Sequence, residues 1–503
     1  MEKYHDIRSR YVLYALEDYS KNGDAYVSEN TLFARCRKQR RELSYGSFKA
    51  DLAEQIRLGY IHPEGSRLYA TKTWRYEECA ARKLSAVLRD PALLPVVLPD
   101  VLTVNGIALC EEQRNAAELA LSNRLSMILG GAGSGKSTLI RAIANEVRRG
   151  QTMVLCCPTG KAARNLTKRT GLQARTVHSA LGMRPDEDFL LPVTWSTTSL
   201  VVVDEASMLT IEMLAGILNR VPGFCRVVLV GDPNQLLSVG AGNVLPDLLA
   251  LGIPCAHLEE NHRQDNGAEA LRHNVVDFAK LHREPDLAFD TSFSLREINS
   301  TEIKEALVEE AVKRFKAGES VQPLSPYRRK GELSAYALNQ AIRDKVNPLT
   351  PGKLVLAGGG ETFRNGDRVM IVQNDRERDC SNGDVGILRI LRTENKKEAY
   401  FVELPDSRCP MWNDASGLEQ MSLAYCLTVH KAQGSEYDTI LLPMSMGMQT
   451  MLSRNLLYTA ISRARERAII YGSSQALDVA IQRNLPVRKS ELVPKTHMLL
   501  ECA

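Results

Sequence analysis

The nine residues Gly130 to Thr138, GGAGSGKST, constrain this chain more than any other stretch. An apolar run, SMIL, precedes them and the helical pattern LIRAIANEV follows, which is the strand, loop and helix order that a phosphate-binding loop requires. Glycines at 130, 131, 133 and 135 let successive backbone N–H groups converge on phosphate oxygens, and the helix N-terminus adds its partial positive charge. In this reading Gly130, Gly131, Ala132, Gly133, Ser134, Gly135 and Thr138 form a cradle, Lys136 reaches the β- and γ-phosphates, and the Ser137 hydroxyl ligates Mg²⁺. ATP and Mg²⁺ are the expected cofactors. The fold class is α/β, because the pattern of apolar strand, loop and helix repeats along the chain after about residue 100.

Further apolar runs match that sheet. TMVLCCP, LVVVDE and RVVLVGD are nearly continuous in Val, Leu and Ile, as expected of parallel strands covered on both faces. One of them ends in VVVDEAS, placing Asp204 and Glu205 at a strand's C-terminal edge, where ligands of such sheets bind. Asp204 is expected to hold the metal through water. Glu205, beside the metal but not sequestered by it, is the candidate for deprotonating an attacking water.

Length and composition set the frame. At 503 residues, 44% of them hydrophobic, the chain can bury several cores, and a formal charge of +4 excludes a binder held by bulk charge alone. The 11 cysteines are scattered without paired metal spacing, which points to a reducing, cytoplasmic setting. Neither an export signal nor an apolar stretch long enough to span a membrane is legible. Residues 1–95 read as a winged-helix-like domain: helices around Tyr11 to Tyr19, from an N-cap at Ser28, and from Gly46 to Gly59, then a hairpin over YIHPEGSRLYAT. Its basic residues Arg35, Arg37, Lys38, Arg40 and Arg41 suit phosphate contact and a solvated helix face equally. A first lobe is expected over 100–285 and a second over 286–350 and 420–490. The alternating FRNGDRVMIVQND, NGDVGILRIL and EAYFVEL, with Asn-Gly turns, predict a small inserted β-barrel at 351–419.

The order GGAGSGKST, CCPTGKAARNL, TVHSALG, VVVDEASML, GDPNQLLSV, LEENHRQ, LTVHKAQGSEYD and LLYTAISRARERA resembles superfamily 1 helicases, most closely the RecD-type group of the 5′→3′ branch. The resemblance covers about residues 105 to 475, without a counterpart of the helix-hairpin-helix repeats that precede the motor in longer RecD-type proteins. It implies two RecA-like lobes that close on ATP and step along single-stranded DNA to a duplex junction. RNA is a weaker alternative, and so are a translocase that does not unwind and an ATP-gated binding switch. It further implies that Gln113 reads adenine and Gln235 senses the γ-phosphate. Arg263 and Arg463 would complete the pocket, with Gly434 lining it and Glu436 accepting from the ribose. Pro158, Thr159, Lys161, Thr176, His178, Thr428 and His430 match strand-gripping positions. The connector LGMRPDEDFLLPVTWSTT, about 182–197, occupies the place of a duplex-splitting pin, with Phe189 and Trp195 as flat faces for a terminal base pair or, for Trp195, packed on the lobe.

Overall fold

The structure is a computed structural model that describes residues 11–502 except 92, 94–97, 100, 147–151, 184–187, 191–194, 260–266, 280–286, 376 and 393–397. Its largest sheet has six parallel strands in the order Cys255–Leu258, Leu125–Gly130, Arg226–Gly231, Thr198–Val203, Thr152–Cys157, Ala174–Thr176. The unbroken apolar runs are explained by cover on both faces. Val201 and Val203 pack into one core while Leu200 and Val202 pack into another on the opposite side. The three strands ending at Gly130, Gly231 and Val203 are neighbours, so the phosphate loop, Asp232 and Asp204 emerge side by side.

A second parallel sheet runs Phe293–Glu297, Ala464–Gly472, Tyr437–Met444, Val321–Ser325, Leu427–Thr428. Between its strands the chain forms a five-stranded antiparallel sheet, ordered Met411–Trp412, Glu398–Glu403, Val385–Arg392, Arg368–Ile371, Met421–Leu423, with a hairpin of Val355–Gly358 and Glu361–Arg364 beside it. Trp412 stacks on Tyr400 with ring centroids 5.9 Å apart. Gly417 lies so close to the indole that an added Cβ would stand 2.2 Å from it. One loop of this sheet reaches the first lobe, where Arg164 of the helix Gly160–Thr170 pairs with Asp384 at 2.6 Å.

The N-terminal unit carries helices Tyr11–Lys21, Glu29–Gln39 and Tyr45–Arg57 with strands Tyr26–Ser28, Ile61–Glu64 and Arg67–Ala70. Ser28 caps its helix, accepting from Thr31 N. The third helix begins at Tyr45, not Gly46, because the Ser44 hydroxyl accepts from Ser47 N. The following helix, Thr71–Arg89, packs against Ile211–Arg220 of the first lobe and against the C-terminal helix Leu492–Glu501.

The chain just before that last helix clips the units together. The Arg488 guanidinium donates to the carbonyls of Gly240 and Gly242 and to the Ser238 hydroxyl, and its side chain lies over Gly23. Gly23 has φ +110°, and an added Cβ would meet Arg488 Nε at 2.2 Å. Gly23→Ala is therefore expected to cost about 2 kcal/mol, read as a lower urea midpoint at unchanged slope. An unchanged midpoint would show that this junction yields freely.

One sequence expectation is corrected here. Phe189 offers no free face: it is 5% exposed, edge-on to Tyr76 and His178, and Gly216 leaves the space it fills, a Cβ there meeting the ring at 2.8 Å. Trp195 is partly buried against the same core, and its backbone N–H donates to Arg220 O. The remainder of the expected pin, 184–187 and 191–194, lies outside the described residues.

Candidate functional site

A cavity of about 320 Å³ opens where the two parallel sheets face each other. Gly133 and Gly135 take left-handed conformations, φ +89° and +78°, that turn the loop under the helix beginning at Lys136. Gly130 is required by crowding, since a Cβ would stand 2.5 Å from Ser134 Oγ and 3.0 Å from Leu258 O. Lys136 Nζ donates to the Gly130 carbonyl at 2.7 Å and to that of Gly131. Burial lowers its pKa, an effect that the carboxylates of Asp232, Asp204 and Glu205 oppose. The ammonium is thus held by the carbonyls of its own loop.

Asp204 and Glu205 line the same cavity. Burial, then the neighbouring Glu205 charge, pushes the Asp204 carboxyl up to about 6. Two carboxyls crowded in this way favour a cation, and the Ser137 side chain shares the cavity with them. These residues fit Mg²⁺ as ligand and water-held neighbour. Glu205 itself adopts φ +55°, uncommon for a residue with a side chain.

Gln235 is 4% exposed and donates through Nε2 to Asp232 at 3.3 Å, while its Oε1 has no partner. A buried acceptor left open at the cavity wall suits a water or a ligand hydroxyl. Sequence reading passed over the groups that tie this loop to the second lobe. Tyr458 donates its hydroxyl to Asp232, Leu236 N donates to Thr459 Oγ1 at 2.8 Å, and Gln433 Nε2 donates to Leu236 O at 2.9 Å. No spacing signal pairs Asp232 with Tyr458, which lie 226 positions apart.

From the second lobe come Gly434, Glu436 and Arg463. Arg463 is 4% exposed and rests on Thr459 O at 3.1 Å, Ser462 Oγ at 3.0 Å and Ser435 O at 3.4 Å. Glu436 pairs with Arg169 at 2.7 Å and Arg465 at 3.2 Å, so a ribose would compete with two guanidinium groups for it. Gln113 is not among the cavity residues. It is buried on the helix Glu111–Ser122, and its Oε1 accepts from Cys110 N at 3.3 Å as half of a capping box. Arg263 lies outside the described residues.

The expected strand-gripping residues gather at the C-terminal edges of both sheets. Cys157 stands opposite Thr176, and Ser325 opposite Thr428. Each threonine hydroxyl already accepts from a backbone N–H: Thr159 from Ala162, Thr176 from Ser179, Thr428 from Lys431. Their protons remain free to donate. Pro158 is buried at that edge, and Lys161 Nζ stands 5.6 Å from the Tyr437 ring. His178 is exposed beside Phe189, whereas His430 is half-buried, and burial followed by the Arg488 charge lowers its pKa.

Three family descriptions match the chain: an AAA domain over 108–292, an ATP-dependent RecD-like DNA helicase SH3 domain over 338–403, and a UvrD-like helicase C-terminal domain over 423–471. The chain is 35% identical over 401 residues to the ATP-dependent RecD2 DNA helicase of Deinococcus radiodurans, covering 77% of this chain and 52% of that protein. Over most of its length it is homologous to RecD-like helicases. It is also 28% identical over 475 residues to the RecBCD enzyme subunit RecD of Mycolicibacterium smegmatis, covering 83% of this chain and 80% of the relative. The chain thus spans about half the length of the first of these relatives and four-fifths of the second. A solved Pif1 helicase from Bacteroides aligns over 79% of this RecD-like chain and 98% of its own, at 18% identity and a TM-score of 0.46. Among the described residues no helix is long and apolar enough to cross a membrane.

Proposed function

We propose that this RecD-like chain is an ATP-driven motor that travels 5′→3′ on single-stranded DNA and separates duplexes at their junction with the single strand. The carrying observation is that residues of both lobes line one cavity: the phosphate loop, Asp204, Glu205 and Gln235 from one side, Gly434, Glu436 and Arg463 from the other. Hydrolysis then requires the lobes to be together, and their separation after it changes the grip at the two sheet edges.

In this reading Lys136 and the loop amides bind the β- and γ-phosphates, and Ser137 and Asp204 hold Mg²⁺, which supplies charge neutralisation on the phosphates. Glu205 takes the proton of the attacking water, and the open Oε1 of Gln235 orients that water. Arg463 leaves its carbonyl rests to meet charge developing on the γ-phosphoryl group, and Arg263 is assigned beside it on resemblance alone. Gln113 can read adenine only after giving up its bond from Cys110 N. Thr159, Lys161, Thr176, His178, Thr428 and His430 face the strand, with Pro158 shaping the loop. We read residues 1–95 as a winged-helix-like domain and 351–419 as an SH3-like barrel, the latter supported by the match over 338–403. The 11 cysteines, none of them in a disulfide, suit the cytoplasm.

The test measures ATPase and strand separation together on duplexes carrying a 5′ or a 3′ single-stranded tail. The 5′-tailed duplex is expected to be unwound and the 3′-tailed one left intact. Preference for the 3′ tail would reverse the polarity assigned here. Strand-stimulated ATPase without displacement of either duplex would leave a translocase in place of a helicase.

A further inference from the structure

Residues 483–489 leave the second lobe after the helix Ser474–Gln482 and cross to the first lobe without forming helix or strand. The crossing is anchored at both ends. On the second lobe Arg454 N donates to Arg483 O at 2.8 Å, and Arg483 Nη1 donates to Gln449 O. Five positions on, the Arg488 guanidinium donates to Ser238 Oγ at 3.0 Å, Gly240 O at 3.2 Å, Gly242 O at 3.0 Å and Ser238 O. Between these anchors Val487 is 87% exposed, so neither lobe packs over it. A span of five residues reaches about 17 Å at most, which makes this a short tether between the lobes.

The N-terminal unit fixes the far anchor: Lys489 N donates to Asp24 Oδ1 at 3.0 Å, and Ala25 N to Lys489 O at 2.8 Å. Arg488 grips a loop that starts three positions after Gln235. Gly240 and Gly242 within it take φ +133° and +109°, and glycine has the most backbone freedom to lose, so the guanidinium supplies order that the loop's own residues do not. The near end of the same stretch is held by the second lobe, through Gln433 Nε2 on Leu236 O and Leu236 N on Thr459 Oγ1. Residues 236–242 are thus fastened to the second lobe at one end and to the tether that leaves it at the other. A cavity of about 410 Å³ beneath the crossing, with Leu236, Leu237 and His430 in its wall, leaves the tether room to shift.

We propose that Arg488 is a positioning residue for the nucleotide site: it carries movement of the second lobe through 238–242 to Gln235, and so couples strand binding to nucleotide binding. The proposal rests on the helicase reading above. When the second lobe swings, the tether pulls on one end of 236–242 while Gln433 and Thr459 pull on the other, and Gln235 moves with them. Arg488 is not among the residues of the nucleotide cavity or the strand-gripping residues assigned above. Its loss therefore leaves each ligand's own binding in place and removes what one ligand does to the other.

Anisotropy of a labelled oligothymidylate, titrated with and without Mg²⁺ and the non-hydrolysable analogue adenylyl imidodiphosphate, tests it. In the wild-type chain the two Kd values are expected to differ about fivefold or more, the size of an ordinary coupling between sites. Arg488→Ala brings their ratio to within about twofold of unity, while the Kd without nucleotide stays near that of wild type. By reciprocity, the effect of the oligonucleotide on the analogue's affinity shrinks by the same factor. Arg488→Lys keeps part of the ratio, since an ammonium still donates to some of the carbonyls. Should Arg488→Ala lose its cooperative melting transition, Ser238→Ala, which removes one acceptor, is read in its place and lowers the ratio by less. A folded variant with the wild-type ratio, even if both Kd values rise together, overturns the role of Arg488 and leaves the helicase reading standing. A wild-type chain that binds no strand, or binds it equally with and without nucleotide, overturns both.

Discussion

Lys136→Ala is expected to lower ATP turnover about a thousandfold, on the scale of losing a principal donor to developing phosphoryl charge, while binding to single strands stays measurable. The two functions separate because Lys136 lies on the phosphate loop, whereas Thr159, Thr176 and Thr428 sit at the strand edges. Removing the ammonium also releases the carbonyls of Gly130 and Gly131, so the loop of the variant should relax in the absence of nucleotide. Steady-state ATPase with saturating oligonucleotide, paired with an anisotropy titration, checks both parts. Wild-type turnover would remove this loop from the chemistry.

Arg463→Ala should reduce kcat by about 10³-fold or more while changing the KM for ATP only a few-fold, since a guanidinium acting on transition-state charge contributes little to ground-state binding. The cavity lining gives the reason for singling it out: it is the buried arginine that the second lobe contributes to that lining, and it is parked on three backbone and hydroxyl oxygens in the wall it shares with the phosphate loop. Arg463→Lys should not restore the rate, because an ammonium lacks the planar fork. A comparable loss in ATP affinity and in kcat would assign Arg463 to binding instead. Melting temperature serves as the control, because Thr459 O and Ser435 O lose a partner in the alanine variant.

The parts of this protein that could be read from residues are those decided within a few positions of chain. Apolar strands without alternation, the hydroxyl cap at Ser28, and glycines that open a loop to phosphate all act over one or two turns of backbone. Gln113 shows where such reading is ambiguous. Its position on the helix is legible, but the same amide can cap its own helix or read a base, and the structure has it capping. Phe189 shows the same ambiguity for an aromatic, because a flat ring serves as platform or as core, and the space left by Gly216, 27 positions away, settles it as core.

By itself the sequence determined the α/β class, the phosphate loop with its carboxylate pair, and the order of the helicase motifs, because each is written in short-range periodicity or in contiguous residues. Only the tertiary structure decided which distant groups meet. Tyr458 on Asp232, Gln433 on Leu236, Arg164 on Asp384 and Arg488 over Gly23 join segments between 197 and 465 positions apart. These contacts depend on how rigid lobes pack against one another, and that packing is set by the summed burial of whole faces and not by any local spacing.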